Sequence, residues 1–124
     1  MTASHTRDTT RVRAELAESA WFAVVHAYQA CTRKYEQMLG AFGLTLPQFE
    51  ALLAIERLGE QALPKHIADA LLVTRGNVTG VLERLRAHGL IRLETHPVDG
   101  RARVASLTAE GARVCAQARA AASR

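Results

Sequence analysis

Cysteine, proline and long apolar runs are scarce in this chain of 124 residues, which has two cysteines and three prolines. So few cysteines exclude a disulfide scaffold and favour a reducing compartment, and we expect Cys31 and Cys115 to be buried, inert thiols. No stretch approaches the roughly 18 uncharged apolar residues that a membrane helix needs. The polar start of the chain lacks the apolar core of a secretion signal. These absences predict a cytoplasmic, single-domain protein that makes no contact with a membrane.

Residue patterns that carry catalysis or bind metals are also missing. The five histidines are scattered, and no two share a helix face at the spacing of metal ligands. The sequence has neither a glycine-rich phosphate loop nor a serine or cysteine nucleophile motif. We therefore predict no metal site, no cofactor and no enzymatic activity.

Aromatic residues are few, and none lies in the basic part of the chain. All six fall between Trp21 and Phe49, whereas the basic segment 65–103 has none. Proteins that read RNA or single strands stack bases on aromatic side chains. Arginine supplies 14 of the 16 basic residues, in a chain of net charge +4, and its guanidinium grips phosphate through two parallel hydrogen bonds. The composition favours duplex DNA as a partner over RNA.

A long uninterrupted segment predicts the first helix. Residues 1–9 are rich in threonine and are expected to form a flexible arm, whereas residues 11–42 contain no proline and no glycine before Gly40. Aromatic side chains recur there every seven residues and share one stripe, beside a face of small alanines. So broad an apolar surface predicts a helix that faces both its own core and a second subunit. A simple buried helix is the alternative. The stripe comprises Trp21, Tyr28, Tyr35 and Phe42.

Helix caps and glycines divide residues 45–107. Thr45 and Gln48 have the spacing of a capping box, and Gly59 ends that helix. Pro64 begins a short helix without an ordinary side-chain cap. Thr74 is expected to cap the next helix, which ends before Gly89. The inward positions of the two later helices are Ile67, Ala68, Leu71 and Leu72, then Val78, Val81, Leu82 and Leu85.

The apolar period then changes from that of a helix to that of a strand. Residues 91–95 alternate, Asp99-Gly100 signals a hairpin turn, and residues 103–107 alternate again. Thr108 caps a final helix over 108–124. The predicted fold class is mainly α with a small β-hairpin wing: a winged helix-turn-helix over 45–107, flanked by dimerisation helices over 11–42 and 108–124, in one domain of residues 1–124.

The helix predicted from Thr74 presents a polar face suited to a DNA groove. Its two glycines each cost about 1 kcal/mol relative to alanine and would let the backbone approach the groove. Polar side chains near the helix N-terminus suit base edges and phosphates. The predicted DNA-contacting residues are Thr74, Arg75, Gly76, Asn77, Thr79, Gly80 and Arg84. A solvated helix face is the alternative.

The tip of the hairpin is the second candidate DNA contact. Arg101 and Arg103 lie beside Asp99 on an exposed turn, where a wing reaches a minor groove or the phosphates. We expect the Asp99 carboxylate to orient the guanidinium of Arg101. The alternative is a solvated ion pair worth less than about 1 kcal/mol.

An effector pocket is predicted where the first two helices meet. Aromatic side chains concentrate there, and the candidate pocket residues are Trp21, His26, Tyr28, Tyr35 and Phe49. The ligand would be a small aromatic or lipophilic molecule. A dry aromatic core is the alternative.

The segments Thr74–Ile91 and Asp99–Gly111, with Leu44–Gln48, resemble regulators of the MarR type (multiple antibiotic resistance regulator) over roughly residues 11–115. The resemblance implies a homodimeric bacterial transcription factor that binds a pseudo-palindromic operator, often as a repressor that a small phenolic or lipophilic ligand releases. It also implies dimerisation through the first and last helices. By position, Arg75, Asn77 and Thr79 would meet the major groove, and Arg101, braced by Asp99, the minor groove.

Two departures from the family pattern affect this interpretation. Only 16 residues follow Thr108, so the last helix is short for the family. Trp21 and Leu46 stand where the peroxide-sensing branch has its reactive cysteine and one of its tyrosines, so that switch is not predicted. Three alternatives stay open: a winged-helix protein-interaction or dimerisation module without DNA binding, an RNA-binding winged helix, and a redox sensor built on Cys31.

Overall fold

The computed structural model describes residues 2–71 and 76–124, and the side chains of residues 4–71 and 76–124. The elements in this part of the chain are α1 (Thr2–Gly40), α2 (Leu46–Leu58), a 3-10 turn (Gly59–Gln61), α3 (Pro64–Ala70), α4 (Val78–Ala87), β1 (Ile91–Thr95), β2 (Arg103–Leu107) and α5 (Ala109–Ala122). The predicted fold class, mainly α with a β-hairpin wing, is confirmed. None of the described helices is both long and apolar enough to cross a membrane.

The chain divides into two compact units, Met1–Lys34 and Tyr35–Arg124, and the single domain over residues 1–124 stays a prediction. α1 begins at Thr2, so the segment predicted as a flexible arm is helical. No glycine or proline interrupts this segment, and the hydroxyls of Thr9 and Thr10 donate to carbonyls one turn back. The helix ends at Gly40 rather than at residue 42.

The apolar surface of α1 differs between its two ends. In the first unit, six large apolar side chains are half exposed or more: Val12, Leu16, Trp21, Phe22, Val24 and Tyr28. In the second unit, Leu39 is fully buried, and Tyr35 and Phe42 pack against the core. The predicted core-facing part of the aromatic stripe therefore comprises Tyr35 and Phe42, and a second subunit against the exposed Trp21 and Tyr28 stays a prediction.

α2 is the central helix of the second unit. The predicted capping box is confirmed, because Gln48 N donates to Thr45 Oγ1 (3.3 Å) and Thr45 N donates to Gln48 Oε1 (3.1 Å). Phe49, Leu52 and Ile55 are buried on the face that α2 turns to its neighbours. α3, α4, α5 and β2 all pack against this helix, which therefore supports both the helix-turn-helix and the wing.

The start of α4 lies later in the chain than predicted. α4 begins at Val78 with Asn77 as its N-cap, and the predicted cap, Thr74, lies outside the described residues, as do Leu72, Val73 and Arg75. Gly76 precedes the helix at φ +146°, a conformation that L side chains rarely adopt, so its predicted helical position is wrong. In α3, Ile67 is buried as predicted, but Ala68 is exposed because it lies on the solvent side of this short helix.

The wing is the predicted antiparallel hairpin, in which Ile91 pairs with Leu107 and Thr95 with Arg103. Ala105 N donates to Ala62 O (2.9 Å), which attaches β2 to the chain after the 3-10 turn. α5 follows with Thr108 as its N-cap, as predicted.

The two cysteines have different environments. Cys115 of α5 is fully buried as predicted, and burial raises the pKa of its thiol, which favours the unreactive protonated form. Cys31 of α1 is exposed, so its predicted burial is wrong: it lies in the first unit, where most neighbouring side chains of α1 are also exposed.

Candidate DNA-binding surface

α4 buries one face and presents the other to solvent. Leu82 and Leu85 are buried, and Val78 and Val81 are half-buried against the core, which confirms the predicted inward face. The helical period therefore places Gly80, Glu83 and Ala87 at the centre of the opposite face, flanked by Thr79 and Arg84. Thr79 and Arg84, two of the predicted DNA contacts, are both exposed.

Asn77 and Gly80 form one interlocked cap at the N-terminus of α4. Gly80 N donates to Asn77 Oδ1 (3.0 Å). A Cβ added to Gly80 would lie 2.6 Å from Asn77 Nδ2, so glycine leaves the room that the cap needs. The cap contributes about 1 kcal/mol, which offsets the similar cost of a glycine in a helix. The side-chain oxygen Oδ1 of Asn77 is thus occupied by the helix cap. The amide nitrogen Nδ2 takes no part in that hydrogen bond.

The tip of the wing holds Arg101 differently from the prediction. Asp99 Oδ1 accepts a hydrogen bond from the backbone N–H of Arg101 (3.1 Å), whereas a contact with the guanidinium was predicted. The difference follows from the turn itself, because a carboxylate two residues upstream lies within reach of a backbone N–H. Arg101 is exposed, so its side chain extends from a turn that Asp99 shapes.

An ion pair connects the wing to α4. Glu83 accepts hydrogen bonds from Arg86 Nη2 (2.8 Å) on the same helix and from Arg103 Nη1 (3.2 Å) on β2. The hydrogen bond from Arg86, followed by the charges of both guanidinium groups, lowers the pKa of Glu83 below its ordinary value. Arg103, predicted to contact DNA, is thereby held against the outward face of α4.

Sequence reasoning assigned no role to Glu83, although it lies at the centre of the predicted outward face. The spacing of Glu83 and Arg86 is a recognisable helical pair. Arg103 lies 20 residues further along the chain, and no local signal predicts that contact.

The predicted effector residues are distributed over the two units. Trp21, His26 and Tyr28 are exposed in the first unit. Tyr35 is half-buried and Phe49 is buried in the second unit. A pocket lined by all five side chains stays a prediction.

Metal-ligating side chains do not converge in the described ranges, where no three His, Cys, Asp or Glu residues are arranged to hold an ion. The candidate functional surface of the second unit is instead the exposed face of α4 beside the arginines of the hairpin. The fold and this surface define a winged helix-turn-helix protein.

Comparisons with known proteins show which winged-helix proteins this chain is similar to. The family model described as "MarR family" matches residues 42–102, which include α2, α3, α4, β1 and the wing tip. This match confirms the resemblance found in the sequence: over residues 42–102 the chain is similar to winged helix-turn-helix proteins of the MarR family.

A curated relative and two solved structures show the extent of the similarity. The organic hydroperoxide resistance transcriptional regulator of Bacillus subtilis (strain 168) is 29% identical over 98 residues, and the match covers 79% of this chain and 66% of the relative. This chain thus spans slightly less than two thirds of that protein. MosR of M. tuberculosis, solved with DNA, is 27% identical with a TM-score of 0.65 and covers 82% of this chain and 73% of its own. A transcriptional repressor called CouR, solved on a 23-mer DNA duplex, is 26% identical with a TM-score of 0.77, and the match covers 88% of this chain and 76% of that one.

Proposed function

We propose that this protein is a sequence-specific transcriptional regulator, a repressor that binds duplex DNA as a homodimer at a pseudo-palindromic operator. The observation that carries the proposal is the exposed face of α4, with Thr79 and Arg84, next to the exposed arginines of the wing. The second helix of a helix-turn-helix enters the major groove, and arginines beside it neutralise phosphates. The relatives solved with DNA support the proposal. Because such a regulator acts on chromosomal DNA, we also propose that the protein is associated with the nucleoid.

The homodimer has its own support in the first unit. The exposed apolar side chains of residues 12–28 form a surface that water solvates poorly, and such surfaces commonly mark protein interfaces. In a two-fold dimer the recognition helices must lie about one DNA turn apart, roughly 34 Å, to reach paired half-sites.

The proposal is tested by selecting bound sequences from random duplex DNA, which is expected to yield a palindrome.

Arg101→Ala is expected to weaken binding to the selected operator and to random duplexes alike. Because a phosphate contact releases counterions, the salt dependence should flatten by about one unit of slope per subunit. Arg101 is exposed, so the free energy of unfolding should change little. The measurement is a DNA titration at several salt concentrations.

Substitutions near the start of α4 are expected to behave differently. Thr79→Ala or Asn77→Ala should cost about 1–3 kcal/mol on the operator and far less on random DNA, because these side chains would contact base edges. Asn77→Ala also removes the cap, so Asn77→Ser, which keeps a capping oxygen, is the matched control. If Thr79→Ala, Asn77→Ala and Asn77→Ser weaken binding to the operator and to random DNA equally, the assignment of these side chains to base edges is wrong. If none changes DNA affinity while the protein stays folded and dimeric, a protein-interaction module is the better description.

We also propose that a small aromatic or lipophilic ligand releases the protein from DNA. The support is the group of exposed aromatic side chains on α1, which includes Trp21 and Tyr28. Salicylate titrated into the protein is expected to quench the fluorescence of Trp21, the single tryptophan, and to lower operator affinity at millimolar concentration. Benzyl alcohol, which has the ring without the carboxylate, is the control that shows whether the carboxylate is needed. Unchanged fluorescence and unchanged DNA binding with both compounds would contradict this proposal.

A further inference from the structure

The turn at the tip of the wing is organised around the ring of His96. Val98 N (3.1 Å) and Asp99 N (3.0 Å) both donate to His96 Nδ1. The ring therefore accepts the N–H groups two and three residues ahead, which is what the side-chain oxygen of asparagine does in the turns that it initiates. His96 takes that role in this turn.

These hydrogen bonds require one protonation state of the imidazole. A nitrogen that accepts N–H donors must carry a lone pair, so the proton of the neutral ring is on Nε2. The imidazolium ion carries protons on both nitrogens and cannot accept at Nδ1. Protonation of His96 therefore removes the acceptor from two backbone N–H groups and places a third N–H against them.

The ring of His96 is connected to the arginine of the tip through Asp99. The backbone N–H of Asp99 is held by the ring, and Asp99 Oδ1 in turn accepts from Arg101 N (3.1 Å). The same loop is closed by His96 N donating to Ala102 O (2.8 Å) and Ala102 N donating to Asp99 O (3.0 Å). The conformation that presents Arg101 thus depends on the acceptor at His96 Nδ1.

The surroundings of the ring give protons access to it. His96 is half-buried and lines an open cavity of about 790 Å³ between the wing and the end of α2. The charged residues that line this cavity are Glu56 of α2, whose carboxylate pairs with Arg119 of α5, Glu60 of the 3-10 turn and Glu94 of β1. Asp99 and Arg101 follow the ring in the tip.

We propose that His96 is the positioning residue of the wing tip and that its protonation releases the turn and weakens DNA binding. The inference rests on the proposed function, since it assigns a regulation to the same DNA-binding surface. Histidine changes its charge between about pH 5 and 8, which is the range in which affinity should change. Glu83 does not contribute to this change, because its lowered pKa keeps it ionised throughout that range.

The test compares the wild-type protein with His96→Asn and His96→Ala, using the selected operator at constant ionic strength from pH 5.0 to 8.0. Asparagine retains a turn acceptor and does not titrate, whereas alanine has none. Two lost hydrogen bonds predict an affinity about tenfold lower for the wild type at pH 5 than at pH 7.5. His96→Asn should lose this dependence, and His96→Ala should bind weakly at both pH values. The other four histidines are present in every variant, so their titration cancels in the comparison.

Two outcomes would overturn the proposal. Identical pH profiles of the wild type and His96→Asn would show that His96 does not regulate affinity. An affinity that rises at low pH in the wild type alone would show that the added positive charge, rather than the turn, governs binding.

A second measurement separates this inference from the proposed function. In the protein without DNA, the amide resonances of Val98 and Asp99 should shift with pH together with the His96 ring, and this shift should be absent in His96→Asn. If the resonances shift but no variant binds DNA, the proposed function fails while the turn is as described. If DNA binds but the resonances do not shift, the proposal for His96 is wrong.

Discussion

A protein in which Leu16 and Val24 are both replaced by glutamate is expected to be monomeric and to lose most of its operator affinity. Both side chains are exposed in the single chain, at 65% and 64%. They lie on one face of α1, so their replacement costs the isolated chain little, whereas a carboxylate buried in an apolar interface without a partner costs several kcal/mol. A monomer contributes one recognition helix, and losing the linked second half-site should weaken operator binding by about 100-fold or more.

The matched control adds a carboxylate to the other side of the same helix. Gln29→Glu should leave the dimer and DNA affinity close to wild type, because Gln29 is exposed and lies on the side of α1 opposite Leu16 and Val24. Sedimentation equilibrium at tens of micromolar gives the oligomeric state. A wild-type protein that is already monomeric but binds the operator with full affinity would contradict the proposed dimer. So would a Leu16→Glu, Val24→Glu dimer of wild-type stability.

Replacing Gly111 by alanine is expected to lower the free energy of unfolding by on the order of 3 kcal/mol. The added Cβ would lie 1.9 Å from the carbonyl oxygen of Leu90. That backbone cannot retreat easily, because Thr108 N donates to Leu90 O (3.0 Å) and Leu90 N donates to Leu85 O (3.0 Å). The clash therefore has to separate the start of α5 from the end of α4. For a unit of this size the melting temperature should fall by about 10 °C or more.

Gly40→Ala is the control for the loss of a glycine. A Cβ at Gly40 has nothing within 4 Å, and the residue ends α1 in a helical conformation. Its substitution should leave stability unchanged or raise it by up to about 1 kcal/mol. Urea unfolding followed by circular dichroism measures both variants. Gly111→Ala with wild-type stability would show that α5 shifts without cost, and the contact with Leu90 would then not hold the two helices together.

Most helix ends could be predicted because a cap depends on residues that are close in sequence. Thr45 with Gln48, and Thr108 with Gly111, are separated by three residues, so the pattern and the contact are both local. Local signals were ambiguous at α4, where Thr74 and Asn77 are both good capping residues. The positive φ of Gly76 and the room at Gly80 favour Asn77, and neither can be read from residue types.

Local patterns also left the hydrogen bonds at the wing tip undecided. The pair Asp99-Gly100 predicts a turn but not which group accepts the N–H of Asp99. His96 takes that role in the folded hairpin, although a histidine is not a usual turn residue.

Contacts between distant residues followed from the tertiary structure alone. The approach of Gly111 to Leu90 and the ion pair of Glu83 with Arg103 join residues about 20 positions apart, and many placements of α5 and of the wing satisfy the same apolar pattern. The periodicity of α1 likewise shows an apolar face but not what covers it. A helix face that packs against a partner subunit and one that packs against its own core are built from the same apolar residues. Burial depends on which surfaces meet in three dimensions, and that is why Trp21 is exposed while Phe49, from the same aromatic group, is buried.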